Sequence, residues 1–176
     1  MKRLSVFLVA LLFVSGCTTT PSAISKGKLV NCESLSVDSN VSGTQLDCLD
    51  GSAGIVLEGL RGPAVVNVWG SWCGPCKDEI PYFVDFYSKA KGKVVLLGID
   101  VEEAKIDDGR HFVETRGITW PNLYDPDGRT ASALGMGVPI TYFVDAKGVT
   151  VYKKIGVIAS VKELEDLTQK YLGISI

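Results

Sequence analysis

The chain has 176 residues, a formal net charge of −2, a single histidine and 46% hydrophobic residues. That is enough chain and apolar content for one domain with an ordinary core. It excludes a nucleic-acid partner, because no basic stripe and no interleaving of basic with aromatic residues occurs, and no motif asks for a cofactor.

Residues 1–16 read as a signal peptide rather than as part of the fold. Lys2 and Arg3 precede an apolar stretch over 4–14, too short for a spanning helix but suited to secretion. The stretch ends in Val14-Ser15-Gly16-Cys17, which resembles a bacterial lipobox, with Cys17 lipidated as the first mature residue. Thr18-Thr19-Thr20-Pro21-Ser22 is polar and turn-forming, so 17–28 is expected to be a flexible tether. No second apolar run of membrane length follows. The expected location is therefore extracytoplasmic, anchored by lipid to the cell membrane of a bacterium.

Setting Cys17 aside leaves four of the five cysteines, Cys32, Cys48, Cys73 and Cys76. Four allow three pairings, and spacing favours Cys73–Cys76 with Cys32–Cys48. Outside the cytosol such bonds persist. A Cys32–Cys48 bridge closes a loop of about 15 residues, stabilising by about 3 kcal/mol in the chain-entropy model. A second redox relay is the alternative role for that pair. Between them lies a polar, turn-rich segment, so 29–62 is expected to be a stapled hairpin or loop.

Trp72-Cys73-Gly74-Pro75-Cys76 follows the apolar run Ala64-Val65-Val66-Asn67-Val68-Trp69 and opens a helical pattern. A near-continuous apolar run is expected for a strand buried on both faces. Cys73 thus falls where a strand feeds a helix N-terminus, whose dipole and unpaired N–H groups stabilise a thiolate. A cysteine pKa there falls from roughly 8.5 toward neutral or below, and the thiolate is the attacking species. Cys73, on the exposed side of the turn, is the expected nucleophile, and Cys76 resolves the mixed disulfide. The spacing also serves zinc. No second such pair follows and His111 is the one histidine, so redox exchange is preferred to a metal site or an inert pair.

Pro75 fits the first helical turn. Pro81 is expected to kink or reset the helix, which continues through 82–87. Residues 94–101 form a second buried strand, and 106–115 a helix closed by Gly117. Pro121-Asn122-Leu123-Tyr124 is a short extended piece before the turn Asp125-Pro126-Asp127-Gly128. Two strands over 140–145 and 149–152 flank Ala146-Lys147-Gly148 as a hairpin, with Lys153-Lys154 a solvated strand end. Ser160-Val161-Lys162-Glu163 fits a capping box for a last helix carrying Leu164, Leu167 and Leu172 on one face. Trp69 is expected in the core, Trp72 over the cleft and His111 on the surface. The order β-α-β-α-(short α)-β-β-α predicts an α/β layer structure, parallel strands first and a hairpin closing the sheet.

Residues from about 63 to 172 resemble a thioredoxin fold, and more narrowly the membrane-tethered TlpA/ResA-type thiol–disulfide oxidoreductases of bacteria. The matching stretches are 65–76, Lys77-Asp78-Glu79-Ile80-Pro81, Tyr124-Asp125-Pro126-Asp127-Gly128 and 137–145. The resemblance implies a mixed central sheet with helices on both faces over 63–176, preceded by the disulfide-stapled extension. It implies a cis Val138–Pro139 bond facing Cys73, with Trp72, Gly74, Pro75, Val138 and Pro139 forming the substrate-contacting surface. Ile140 departs from the small hydroxyl residue frequent in relatives. Thioredoxin carries a buried aspartate six residues before its first active-site cysteine. Here that residue is Asn67, which cannot take up a proton. The resemblance places an acid shortly after the cysteine pair instead, and Glu79 stands there. Its role as proton shuttle competes with that of a solvated acid favoured near a helix N-terminus; Glu103 is a second candidate, with Glu102 in a competing register.

Three functions remain open. One is a reductase that keeps extracytoplasmic protein thiols reduced, for instance those of apocytochrome c, fed by a membrane electron-transfer partner. Another is an oxidase that inserts disulfides into secreted proteins. The third is a non-enzymatic binding module. The Gly74-Pro75 dipeptide, found in reducing thioredoxin, favours the reductase.

Overall fold

The computed structural model describes residues 26–135 and 137–176. The expected signal peptide and Cys17 lie outside the described residues. Twelve elements follow one another: β1 (Gln45–Cys48), β2 (Ile55–Val56), a 3-10 turn (Leu57–Gly59), β3 (Ala64–Trp69), α1 (Gly74–Ala90), β4 (Val95–Val101), α2 (Ile106–Thr115), β5 (Asn122–Asp125), α3 (Ala131–Leu134), β6 (Ile140–Val144), β7 (Thr150–Ile155) and α4 (Val161–Leu172). The strands form one mixed sheet in the order β2-β1-β5-β4-β3-β6-β7. The centre is parallel, β3 with β4 and β4 with β5, and the flanks are antiparallel. This is the thioredoxin-like α/β fold.

Every residue of β3 is buried, as its unbroken apolar run requires of a strand covered on both faces. One face carries α1, α2 and α4 through Phe83, Phe86, Phe112, Val113 and Leu164. The other is closed by Leu35, Leu57 and Leu60 of the extension, with Leu134 of α3 packed against it.

The extension is more integrated than a stapled hairpin or loop. β1 pairs with β5 through Asp47↔Tyr124 and Cys48↔Leu123, widening the central sheet. The short piece at 122–125 is accordingly a full partner of β4. Cys32 and Cys48 are bonded with a Cα separation of 5.9 Å and both are buried. Helix α1 runs through Pro81 without ending, as far as Ala90. The β6–β7 turn is held by Asp145 Oδ1, which accepts the N–H groups of Lys147 and Val149, while Gly148 adopts φ 86°. Ser160 caps α4 by accepting the Glu163 N–H at 3.1 Å.

The reading of Lys153-Lys154 as a solvated strand end needs correction. Lys153 Nζ donates to the Leu134 carbonyl at 2.6 Å and lies 5.5 Å from the Tyr142 ring centre. Lys154 pairs with Glu163 at 3.1 Å. Both lie on β7 beside β6, so their stems cover sheet surface that strand periodicity alone assigned to water.

Candidate active site

Strand β3 delivers Trp69 to the loop Gly70-Ser71-Trp72, and the chain turns into α1 at Cys73. Cys73 is the N-cap, with extended backbone (φ −79°, ψ 111°), and its Sγ accepts the Cys76 N–H at 3.1 Å. Cys73 and Cys76 form a disulfide with a Cα separation of 5.3 Å. The first turn of α1 carries no acidic residue, so nothing there opposes the helix dipole at the sulfur. Cys73 was expected on the exposed side of the turn. It is the less covered of the two, 4% exposed against 0% for Cys76, and the open surface belongs to its neighbours Trp72, Gly74 and Pro75.

Glu79 stands three residues after Cys76 on the same helix face and has no exposure. Its Oε1 accepts from Asn67 Nδ2 at 2.8 Å and its Oε2 from the Ile158 N–H at 2.8 Å. This is not a solvated acid. Burial pushes its pKa from 4.5 up to about 7; the Ile158 and Asn67 hydrogen bonds oppose the rise. Asn67 Nδ2 also lies 3.4 Å from Thr141 Oγ1. Glu103, the second candidate acid, is buried and accepts both the N–H and the hydroxyl of Ser71. Glu102 is exposed and holds the left-handed φ of 54°.

Trp69 is in the core, as expected. It stacks on Phe112 with ring centres 4.8 Å apart and donates Nε1–H to Asn122 Oδ1. Trp72 is 51% exposed and donates Nε1–H to the Val101 carbonyl at 3.2 Å. It shares with Val68, Val101, Glu102 and Val138 the walls of a groove of about 300 Å³. The Val138–Pro139 bond is cis; Val138 is half-buried, and Pro139 and Ile140 are buried. His111 is exposed on α2.

Sequence reasoning missed Thr141, Ser71, Asp100 and the Ile158 amide. Thr141 meets Asn67 only through the β3–β6 register, and the Ile158 amide arrives from the β7–α4 connection, seventy-nine residues from Glu79. Neither leaves a local signal. Asp100 did leave one, as a lone acid in the apolar run over 94–101.

A profile of the AhpC/TSA family matches residues 39–153. The thiol-disulfide oxidoreductase ResA of Bacillus subtilis (strain 168) is 31% identical over 156 residues, spanning 85% of this chain and 84% of its own length. The chain belongs to the AhpC/TSA family and is a thiol–disulfide oxidoreductase of the ResA type. The thiol:disulfide interchange protein DsbE of Pseudomonas fluorescens biotype C is 34% identical over 131 residues, covering 73% of this oxidoreductase and 72% of DsbE. A secreted Mycobacterium tuberculosis disulfide oxidoreductase homologous to E. coli DsbE has a TM-score of 0.59 at 26% identity, covering 69% of this chain and 90% of the other. A secreted thiol-disulfide isomerase from Corynebacterium glutamicum, with a TM-score of 0.64 at 23% identity, shares the fold. The family match begins inside the extension, consistent with β1 being a strand of the central sheet.

Proposed function

We propose that this oxidoreductase works outside the cytoplasm as a reductase of protein disulfides, for example keeping apocytochrome c thiols reduced before haem attachment. The Cys73 thiolate attacks a substrate sulfur, forming a mixed disulfide and releasing one substrate thiolate. Cys76 then attacks Cys73 Sγ, releasing the second substrate thiolate and leaving the Cys73–Cys76 disulfide. A membrane electron-transfer partner returns two electrons to restore the dithiol. The observation that carries the exchange chemistry is the Cys76 N–H donated to Cys73 Sγ at a helix N-terminus free of acids, and the Gly74-Pro75 dipeptide, found in reducing thioredoxin, supports the reductase direction.

Cys76 must lose a proton before it can attack. Glu79 is the proposed acceptor: it shares the buried face of α1 with Cys76, and a carboxyl titrating at about 7 can both take and return a proton near neutrality. Asn67 orients that carboxyl but cannot itself accept the proton. The rim of Trp72, Gly74, Pro75, Val138 and Pro139 is the proposed substrate contact, and Cys32–Cys48 a structural staple of the extension. Cys17 is the proposed lipid attachment point, after removal of 1–16. Cys17→Ser should move the protein from the membrane fraction to the soluble one; continued membrane association would overturn the anchor.

The reduction potential of Cys73–Cys76 against glutathione tests the direction. A value near or below about −250 mV supports a reductase, and one near about −120 mV would make the protein an oxidant of secreted thiols.

A further inference from the structure

Asp100 lies on β4 between Trp69 of β3 and Tyr124 of β5, and has no exposure. Neither of its oxygens has a hydrogen-bond donor among the described residues. The charged group that acts on it most strongly is another acid, Glu103, three residues further on. A hydrogen bond between two carboxyl groups needs a proton on one of them. Glu103 already accepts two donors, the N–H and the hydroxyl of Ser71. Ser71 sits two residues before Cys73, in the loop where Cys73 N–H donates to the Gly70 carbonyl at 3.0 Å.

The backbone of α2 closes over Asp100. A Cβ on Gly109 would lie 1.9 Å from Asp100 Oδ2, so only glycine lets the helix close over the acid. The charges that act on Asp100 are acidic, Glu103 and Asp108 of α2, with the Tyr124 ring beside it on β5. Burial first and these acids second push its pKa up to about 10.

We propose that Asp100 is a positioning residue for disulfide exchange: as a neutral acid it donates to Glu103, and Glu103 grips Ser71 so that the loop from β3 presents Cys73 at the start of α1. The proposed strut runs from Asp100 to Glu103 and on to Ser71, whose N–H and hydroxyl Glu103 accepts. It uses the proton as a fixed strut, whereas Glu79 moves one. The proposal rests on Cys73 being the attacking thiol.

Three measurements test it. In the wild-type protein the Asp100 carboxyl carbon NMR shift should report the neutral form at about pH 7 and ionisation only near about pH 10. Asp100→Asn keeps a neutral donor toward Glu103. It should retain the wild-type hydrogen exchange of the Ser71 amide and the wild-type pH profile for alkylation of Cys73. Asp100→Leu should speed Ser71 exchange about tenfold, the weight of one hydrogen bond, and displace the alkylation profile. An ionised Asp100 at neutral pH would overturn the proposal. So would Asp100→Asn as disturbed as Asp100→Leu, or Asp100→Leu with unchanged Ser71 exchange. If Asp100→Leu does not fold, the wild-type shift and Asp100→Asn decide. Trapping of substrate on Cys76 instead of Cys73 would remove the nucleophile assignment, while the carboxyl shift and amide exchange still report on the strut.

Discussion

The two disulfides join similar carbon frames in opposite surroundings. Cα separations are 5.3 Å for Cys73–Cys76 and 5.9 Å for Cys32–Cys48. Cys73 Sγ faces an amide donor at the mouth of a helix. The sulfurs of Cys32 and Cys48 instead face carbonyl oxygens, of Asn122 at 3.8 and 3.5 Å and of Val30 at 3.7 Å. A donor stabilises a thiolate and an acceptor destabilises it. Burial does not separate the pairs, since all four cysteines are nearly or fully covered. The sign of the nearest backbone dipole does, and it supports the proposed division of roles, one bond a reagent and the other a staple.

The largest expected effect breaks this comparison directly. Cys73→Ser should lower the rate of insulin disulfide reduction by roughly a thousandfold or more, because no other group can take the nucleophile's place. Replacing Cys32 and Cys48 together with serine should leave that rate within about twofold. Equal loss in the two variants would show that the extension's bond is part of the relay.

The same double variant should lose about 3 kcal/mol in urea unfolding, as expected for releasing a bond across 16 residues. A midpoint shift no larger than that caused by reducing Cys73–Cys76, which spans 3 residues, would remove the staple reading.

Glu79 sharpens the reactive side of the comparison through pH. Its folded pKa of about 7 lies above its ordinary 4.5, so folding takes up a proton between those values. Its contribution to stability is full below about pH 4.5 and falls by up to about 3 kcal/mol as pH rises to about 7. Subtracting the stability curve of Glu79→Gln from that of the wild type should isolate this slope. Cys76-dependent resolution of the mixed disulfide should slow by about a hundredfold in that variant; an unchanged rate would end the shuttle.

The smallest effect concerns Asn67. Its amide hydrogen bond holds the Glu79 pKa down, so Asn67→Ala should move the midpoint of the pH-dependent phase upward by about one unit, the weight of a hydrogen bond to a charged group. A downward move would contradict the geometry at Glu79.

Most of the reactive site was legible because its parts are local. A strand, a turn and a helix N-terminus follow one another within 64–76, and each declares itself by apolar run, glycine and proline. The family resemblance added the cis Val138–Pro139 bond and pointed to Glu79. Less legible was the extension, because a four-residue strand such as β1 has little pattern of its own and acquires its place only from β5. The lysines of β7 were misjudged for the same kind of reason, since Lys153 finds the Leu134 carbonyl across the sheet.

By itself the sequence determined where the thiols stand and why the first of them is the proposed nucleophile, because a strand leading into a helix is a short-range event. Only the tertiary structure decided the state of the two acids nearby. Glu79 became a group titrating near neutrality because burial raises its pKa, with the hydrogen bonds from Asn67 and the Ile158 amide holding it down. Asp100 was enclosed when α2 brought Gly109 against it. Charge in water is a property of a residue; charge in a buried site belongs to everything that excludes water from it.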